Sequence, residues 1–198
     1  MVRRLAVEIS MRGENVRASC VFIQGIIVLE PKVFTDSRGF FFESYNKKEL
    51  VQCGIHGEFV QDNHSMSCRG TLRGVHYQVR NAQAKLIRVI SGEIYDVAVD
   101  LRKSSPTFGR WFGVNLSAAN KLQIYIPAGF GHAFLALSEN TEVLYKADDF
   151  YAPEHERCIR WNDQDLAIDW PFDGERIISE KDAKGSLFRD ADLPDDWL

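Results

Sequence analysis

Short runs of alternating apolar and polar residues, separated by turn-forming residues, dominate the chain from residue 26 onward. A period of two indicates β-strands rather than helices, and closely spaced strands are typical of sandwiches and barrels. Pro31 and Pro127 each end a run, and Gly92 lies between two others at a predicted hairpin turn. The predicted strands cover residues 26–31, 39–45, 85–90, 93–100, 122–126 and 141–146.

Helical segments are limited to two short stretches. Residues 46–53 are predicted to form a helix that Gly54 ends, and residues 179–184 a short turn or helix. The pattern therefore predicts an all-β fold, a jelly-roll (cupin-like) barrel with a few short peripheral helices. The interior of such a barrel can hold one ligand.

Length and composition indicate a single globular domain. The chain has 198 residues, of which 45% are hydrophobic and 26% charged, values that exclude a disordered or fibrous protein. We expect an N-terminal arm over residues 1–20 and one domain over residues 21–198. A formal charge of −4 gives no strong attraction to nucleic acid, so the expected partner is a small molecule, with room for a local basic pocket that binds phosphate.

The cysteines and the apolar runs predict a cytoplasmic protein. Cys20, Cys53, Cys68 and Cys158 are widely spaced and form no C-x-x-C pair, which fits free thiols in a reducing compartment. No run approaches the ~18 apolar residues that a membrane span needs. We expect neither secretion nor insertion into a membrane.

The polar residues of segment 69–78 lie inside a strand pattern and mark a candidate site. Burying Arg or His costs several kcal/mol unless partners are supplied, although His76 taken alone could be a satisfied core histidine. Arg73 and His76 are three positions apart, so a regular strand would point them to opposite faces. Both can face one cavity only if the strand is irregular at Arg73 and Gly74, and we predict a bulge there.

A metal site is one interpretation of the sequence, because His64, His76 and His132 could supply three imidazoles to one ion. Residues 127–132 match the P-x-G-x-x-H turn that closes the metal site of many cupin barrels. The first half of such a site needs His-x-His, and Gln78 stands where the second histidine belongs. The sequence therefore favours acid–base chemistry without a metal or another cofactor.

Five stretches in one order resemble the dTDP-4-dehydrorhamnose 3,5-epimerase family, over about residues 26–184. They are residues 59–65, 72–78, 92–102, 103–109 and 126–134. The resemblance implies a metal-free jelly-roll homodimer that inverts two carbons of a thymidine-diphosphate 4-keto sugar. Such motifs in one register are far more specific than a lone short signature.

The resemblance implies a catalytic role for three residues. His76 corresponds to the base, Asp182 to its carboxylate partner, and Tyr145 to the proton donor on the opposite face of the sugar. These residue types suit the chemistry, since an imidazole of pKa ~6.5 can accept a proton and a phenol of pKa ~10 can donate one at neutral pH. If Tyr145 points inward, strand alternation places Lys146 outward.

The same resemblance implies a set of substrate-binding residues. Arg73 and Lys85 correspond to residues near the sugar and phosphates, and His132 to a second imidazole of the site. Arg38 is expected to reach across the dimer to the ligand of the neighbouring subunit. The remaining positions expected around the nucleotide are Glu43, Gln61, Asp62, Asn63, Glu156 and Lys181. For Glu156 and Lys181, a solvated surface is the alternative.

Three other functions remain open at this stage. The same base and acid would serve a relative that inverts only one carbon, or one that acts on another nucleotide-linked 4-keto sugar. A barrel that binds sugar nucleotides without catalysis is a second alternative, because a fold alone confers no activity. A metal-dependent cupin enzyme is the third, and it predicts loss of activity with a chelator.

Overall fold

The computed structural model describes residues 10–197, in which two antiparallel sheets pack face to face. The strands are β1 (Ser10–Arg12), β2 (Val16–Cys20), β3 (Ile27–Pro31), β4 (Phe34–Asp36), β5 (Gly39–Phe41), β6 (Gln61–Ser67), β7 (Thr71–Gln78), β8 (Lys85–Ser91), β9 (Glu93–Asp100), β10 (Trp111–Ser117), β11 (Gln123–Ile126), β12 (Phe130–Ala136), β13 (Thr141–Ala147), β14 (Glu156–Cys158) and β15 (Ile177–Ile178). The helices are α1 (Lys47–Gln52) and α2 (Glu180–Ala183), with single 3-10 turns at Pro153–His155 and Phe188–Asp190. The predicted all-β jelly-roll fold with short peripheral helices is confirmed.

The two sheets enclose the barrel interior. One has the order β1-β2-β3-β11-β8-β13-β6 and the other β10-β9-β12-β7-β14, with β15 added in parallel beside β7. Apolar side chains of both inner faces form one cluster, for example Ile87 and Val143 from the first sheet and Ile94 and Phe134 from the second. Burying this cluster is the main favourable term in folding. Polar residues on these inner faces therefore point into the same cavity.

The predicted elements agree with the structure, with differences at some boundaries. Asn46 caps α1 by accepting hydrogen bonds from the backbone of the first turn, as its residue type favours. The predicted strand at residues 39–45 ends at Phe41 as part of a separate β4–β5 hairpin, because its rings have no core to pack on: Phe40 is 60% exposed and Phe41 68%. All seven residues of β12 are buried, so this strand shows no alternation for a sequence pattern to detect.

The predicted N-terminal arm is described only in part. Residues 1–9 lie outside the described residues. Strand β2 pairs with β3, and its Ala18 is buried in a cluster with Leu29 and Leu50. Residues 16–20 thus extend the larger sheet and pack with the domain, and the division of the chain at residue 20 stays a prediction.

Strand β7 has the irregularity predicted from the spacing of Arg73 and His76. Pairing with β12 shifts register between the pairs His132 with His76 and Phe134 with Arg73, so the β7 side has one extra residue. Gly74 has a φ of +112°, a backbone conformation that strongly favours glycine. Leu72 and Val75 pack in the cluster on the other side of the sheet, which leaves Arg73 and His76 on the inner face.

Neither helix in the described part of the chain is long and apolar enough to cross a membrane.

Candidate functional site

A pocket opens into the barrel beside β7. It is lined by His76, Tyr77, Gln78, Ala82, Gln83, Lys85, Gly129, Phe130, Tyr145, Tyr151, Glu156 and Trp197. Four of these were predicted from the sequence, and they come from both sheets: His76 and Glu156 from one, Lys85 and Tyr145 from the other. The pocket therefore has reactive groups on two facing walls.

His76 and Asp182 form a close pair on one wall. The Nε2 atom of His76 is 2.6 Å from Oδ1 of Asp182, and the backbone N–H of Gly74 donates to Oδ2 of the same carboxylate at 3.2 Å. Burial opposes ionisation of Asp182, but the hydrogen bond and charge of His76 outweigh it and lower the pKa of the carboxyl. An ionised Asp182 accepts the Nε2 proton, which leaves Nδ1 as the ring nitrogen that can accept a proton.

Two features of the C-terminal segment, the pairing of β15 with β7 and the cap of α2, place Asp182 beside His76. Ile177 and Ile178 pair with Thr71 and Leu72 at the start of β7. Ser179 then caps α2 by accepting a hydrogen bond from the backbone of Asp182. These contacts fix a residue more than a hundred positions away in sequence against the imidazole.

Tyr145 and Lys85 lie on neighbouring strands of the opposite wall. Tyr145 packs on the interior cluster, and the Lys85 Nζ lies 5.8 Å from the centre of its ring. Burial, helped by the negative charge of Glu156, raises the pKa of Tyr145, so the phenol is protonated at neutral pH. Lys146 points away and pairs with Asp62, as strand alternation predicts.

Burial lowers the pKa of Lys85 to about 8, although the charges of Asp96 and Glu156 oppose the shift. An amine with such a pKa is protonated in most molecules at neutral pH. It can therefore present a positive charge, or a transferable proton, inside the pocket.

Glu156 lies at the rim of the pocket between two partners. It accepts a hydrogen bond from the Tyr151 hydroxyl at 2.6 Å and forms an ion pair with Lys181. Burial raises its pKa, but these two hydrogen bonds outweigh the effect and the net shift is downward. Glu156 is thus an ionised carboxylate that lines the pocket. Lys181 is paired with it and is not an isolated surface charge.

His132 lies directly across from His76 on the adjacent strand, inside the barrel. Its Nε2 is 2.8 Å from Oδ2 of Asp96, a fully buried carboxylate on β9. The sequence reasoning missed Asp96. Its signal was a carboxylate at the inner-face position of an apolar strand, between Ile94 and Ala98.

Arg73 lies on the inner face of β7, the same face as His76. Its guanidinium donates to Oγ of Ser67 and to the carbonyl of Met66 on β6. Arg73 therefore borders the pocket side of β7 without lining its deepest part.

Two of the predicted nucleotide-binding residues, Gln61 and Asn63, lie on the inward face of β6. Gln61 accepts a hydrogen bond from the backbone of Tyr151 and donates to Asn63, whose strand position faces Tyr145. Both are therefore beside the pocket mouth. Asp62 is on the opposite face with Lys146, so the structure does not place it with the other two.

Arg38 and Glu43 are not in the pocket of this chain. Arg38 is exposed at the turn of the β4–β5 hairpin and pairs with Asp36. Glu43 accepts hydrogen bonds from the side chains of Asn15 and Asn46.

The three histidines considered as metal ligands do not converge. His64 is exposed on the outer face of β6, where its Nε2 is 2.9 Å from Glu142. His76 and His132 are each paired with a separate carboxylate. These three histidines therefore do not form the cupin-type ligand set.

Comparison with known proteins shows which family the chain is similar to. A sequence model described as dTDP-4-dehydrorhamnose 3,5-epimerase matches residues 21–190. The chain is 59% identical over 177 residues to the dTDP-4-dehydrorhamnose 3,5-epimerase of Pseudomonas aeruginosa, covering 89% of this chain and 98% of that protein.

Solved structures with the same fold include proteins with nucleotide sugars bound. A dTDP-6-deoxy-D-glucose-3,5-epimerase from Legionella pneumophila, in complex with dTDP-4-keto-L-rhamnose, is 46% identical with a TM-score of 0.87, over 89% of this chain and 95% of that one. A 3'-monoepimerase from Streptomyces bikiniensis, in complex with dTDP-quinovose, is 34% identical with a TM-score of 0.80, over 85% and 86%.

Proposed function

This chain belongs to the dTDP-4-dehydrorhamnose 3,5-epimerase family, and from this premise we propose how its pocket inverts two carbons of a sugar nucleotide. The enzyme is an isomerase. Its substrate is dTDP-4-dehydro-6-deoxy-D-glucose, its product is dTDP-4-dehydro-L-rhamnose, and the pathway is dTDP-L-rhamnose synthesis. The observation that carries the mechanism is a carboxylate-paired imidazole facing a protonated phenol across one pocket.

His76 is the base. The hydrogens on carbons 3 and 5 are acidic because both carbons neighbour the ketone at carbon 4, and removing either gives an enolate. With Nε2 bound to Asp182, Nδ1 takes the proton. The ionised Asp182 then stabilises the imidazolium, as a carboxylate does in other His–Asp pairs.

Tyr145 is the proton donor. Inversion requires a new C–H bond on the face opposite to the base, and Tyr145 is on the strand wall opposite to His76. Lys85, beside Tyr145, supplies positive charge for the enolate oxygen. The same base, charge and acid serve both carbons in turn, because each is adjacent to the one ketone.

The remaining predicted residues bind the nucleotide. Arg73, Lys181 and the amides of Gln61 and Asn63 surround the pocket mouth with donors for phosphate and base. His132 holds the inner end of the site with its Asp96 partner. Asp62 and Glu43 have no route to this pocket within the described chain, so a role for them depends on a partner subunit.

We propose that the enzyme is a homodimer and that Arg38 completes the neighbouring site. The β4–β5 hairpin carries Arg38 together with exposed Phe34, Phe40 and Phe41. Exposed aromatic rings in such a cluster are typical of protein interfaces, and a two-fold axis makes the exchange of hairpins reciprocal.

We further propose that the reaction needs no metal or other cofactor and takes place in the cytoplasm. Each proton transfer above is assigned to a side chain of the chain itself. The four cysteines, which the structure shows as free thiols, fit a reducing compartment.

Turnover of the substrate in deuterium oxide tests the function. The proposal predicts deuterium at both carbons 3 and 5 of the product. Label at only one carbon would instead indicate a single-carbon epimerase, a function carried by the structurally similar monoepimerase. The absence of label from both carbons would indicate a binding barrel without catalysis.

A further inference from the structure

Cys158 lies beside the catalytic pair although the proposed reaction does not use it. On β14 it is the direct neighbour of His76 across the strand pairing, and its Sγ is 3.9 Å from Oδ1 of Asp182. One nitrogen of His76, Sγ of Cys158 and one carboxylate oxygen of Asp182 all lie within 4.8 Å of one another. Within residues 10–197, this is the one such group of three found.

Imidazole, thiolate and carboxylate are the ligands that Zn²⁺ prefers in proteins. Bond lengths of about 2.0–2.3 Å in a tetrahedron place ligand atoms roughly 3.3–3.7 Å apart. The sulfur-to-oxygen distance of 3.9 Å is close to that range, and the nitrogen-to-oxygen distance of 2.6 Å needs to open by about 0.7 Å. A movement of the Asp182 carboxylate, together with closer approach of the imidazole nitrogen and Sγ from a separation within 4.8 Å, turns the hydrogen-bonded pair into part of a chelating site.

The surroundings favour a divalent cation with an open coordination position. Burial, together with the negative charges of Asp182 and Glu156, raises the pKa of the Cys158 thiol to about 12, so the thiol keeps its proton until a cation displaces it. The same two carboxylates attract a divalent cation to this position. His76 and Glu156 line the pocket, so a fourth ligand can come from water or from a bound molecule.

We propose that His76, Cys158 and Asp182 form an inhibitory site for a thiophilic divalent cation such as Zn²⁺. On binding, the Cys158 thiol releases its proton to solvent and its sulfur bonds the metal. The metal replaces the proton on Nε2 of His76, and Nδ1 takes up a proton, so the imidazole stays neutral. Nδ1 then carries the hydrogen and can no longer accept one from the sugar.

The inhibitory part of this inference rests on the proposed role of His76, whereas metal binding does not. Binding is therefore measured separately, by titrating the chelator-treated enzyme with Co²⁺ and recording thiolate-to-cobalt charge-transfer absorption. We expect one Co²⁺ per chain with this absorption in the wild type and in Cys68→Ser, whose cysteine is exposed and is not one of the three grouped residues. Cys158→Ser should lose the absorption.

The epimerase assay in the presence of Zn²⁺ tests inhibition. The Zn²⁺ concentration for half-inhibition should rise at least about tenfold in Cys158→Ser, with activity in the absence of metal unchanged. Cys158→Ala gives the same comparison if serine disturbs packing. The inference is overturned if the wild type lacks the charge-transfer absorption, if Cys158→Ser retains it, or if saturating metal leaves turnover unchanged or raises it. An enzyme that binds Co²⁺ through Cys158 but never epimerises the sugar would instead contradict the proposed function.

Discussion

Replacing Gly74 with alanine should destabilise the protein, because this glycine creates the irregularity in β7 that turns Arg73 and His76 toward one cavity. Its φ of +112° costs an alanine of order 1–3 kcal/mol. A Cβ at this position would also meet the carbonyl oxygen of His132 at 2.4 Å and Cα of Ala133 at 2.7 Å. Those are backbone atoms in the middle of a sheet, and relieving such overpacking typically costs a further 1–3 kcal/mol, as an order of magnitude.

Gly39→Ala serves as a control that separates the cost of the positive φ from the cost of steric overlap by the added Cβ. Gly39 also has a positive φ, +133°, but an added Cβ meets nothing within 4 Å. Urea unfolding followed by tryptophan fluorescence, at one protein concentration, should show about 1–3 kcal/mol lost for Gly39→Ala and about 2–6 kcal/mol for Gly74→Ala. Equal losses for the two variants, or a Gly74→Ala protein as stable as the wild type, would refute the role given to Gly74.

Five further results are expected. Asp182→Asn removes a charge-assisted hydrogen bond of about 1.5–3 kcal/mol from the imidazolium, so kcat should fall roughly 10–150-fold; an unchanged kcat would exclude the pair from catalysis. The pH profile of kcat/KM should fall above the Lys85 pKa of about 8 as the ammonium loses its proton, and Lys85→Arg should move that limb upward, whereas an identical alkaline limb would contradict the assignment. Between pH 8 and the ordinary lysine pKa of 10.5, the unfolded chain binds more protons at Lys85 than the folded chain does. The free energy of unfolding should therefore rise with pH through that window, and Lys85→Met should lack this rise. Prolonged treatment with a chelator should leave turnover intact, and loss of activity would contradict catalysis without a metal. Arg38→Ala should raise KM without removing deuterium exchange, and an unchanged KM would contradict the role proposed for Arg38 in the neighbouring site.

Several features of the site could be predicted from the sequence because local rules determine them. The spacing of Arg73 and His76 required an irregular strand, and glycine at position 74 supplied it. Alternation fixed the opposite directions of Tyr145 and Lys146. These inferences depend only on the alternation of side chains along a strand, and the folded structure keeps that alternation at these positions.

Other features depend on contacts that have no local signature. Asp96 is recognisable as the partner of His132 only once β9 and β12 are adjacent and in register. Tyr151 enters the pocket from a loop, whose path is set by hydrogen bonds to Gln61 and Glu156. The separation of Asp62 from the site follows from its position on the outer face of β6, which could not be read before the pairing of β6 with β13 was known.

The pairing of Asp182 with His76 is intermediate between these cases. The resemblance named both residues, but only the addition of β15 beside β7 explains how they meet. Cys158 could not be singled out from the sequence, because its spacing from the other cysteines forms no motif. Its proposed role as a metal ligand depends entirely on its position beside His76 and Asp182.

The most direct test of the central claim compares proton exchange with inversion in two variants. With substrate in deuterium oxide, Tyr145→Phe keeps the base and should still introduce deuterium from the His76 side while inversion is largely lost. His76→Ala should show neither exchange nor inversion from the natural substrate configuration. Deuterium exchange in His76→Ala at the wild-type rate, or full inversion in Tyr145→Phe, would contradict the assignment of base and acid to the two facing walls.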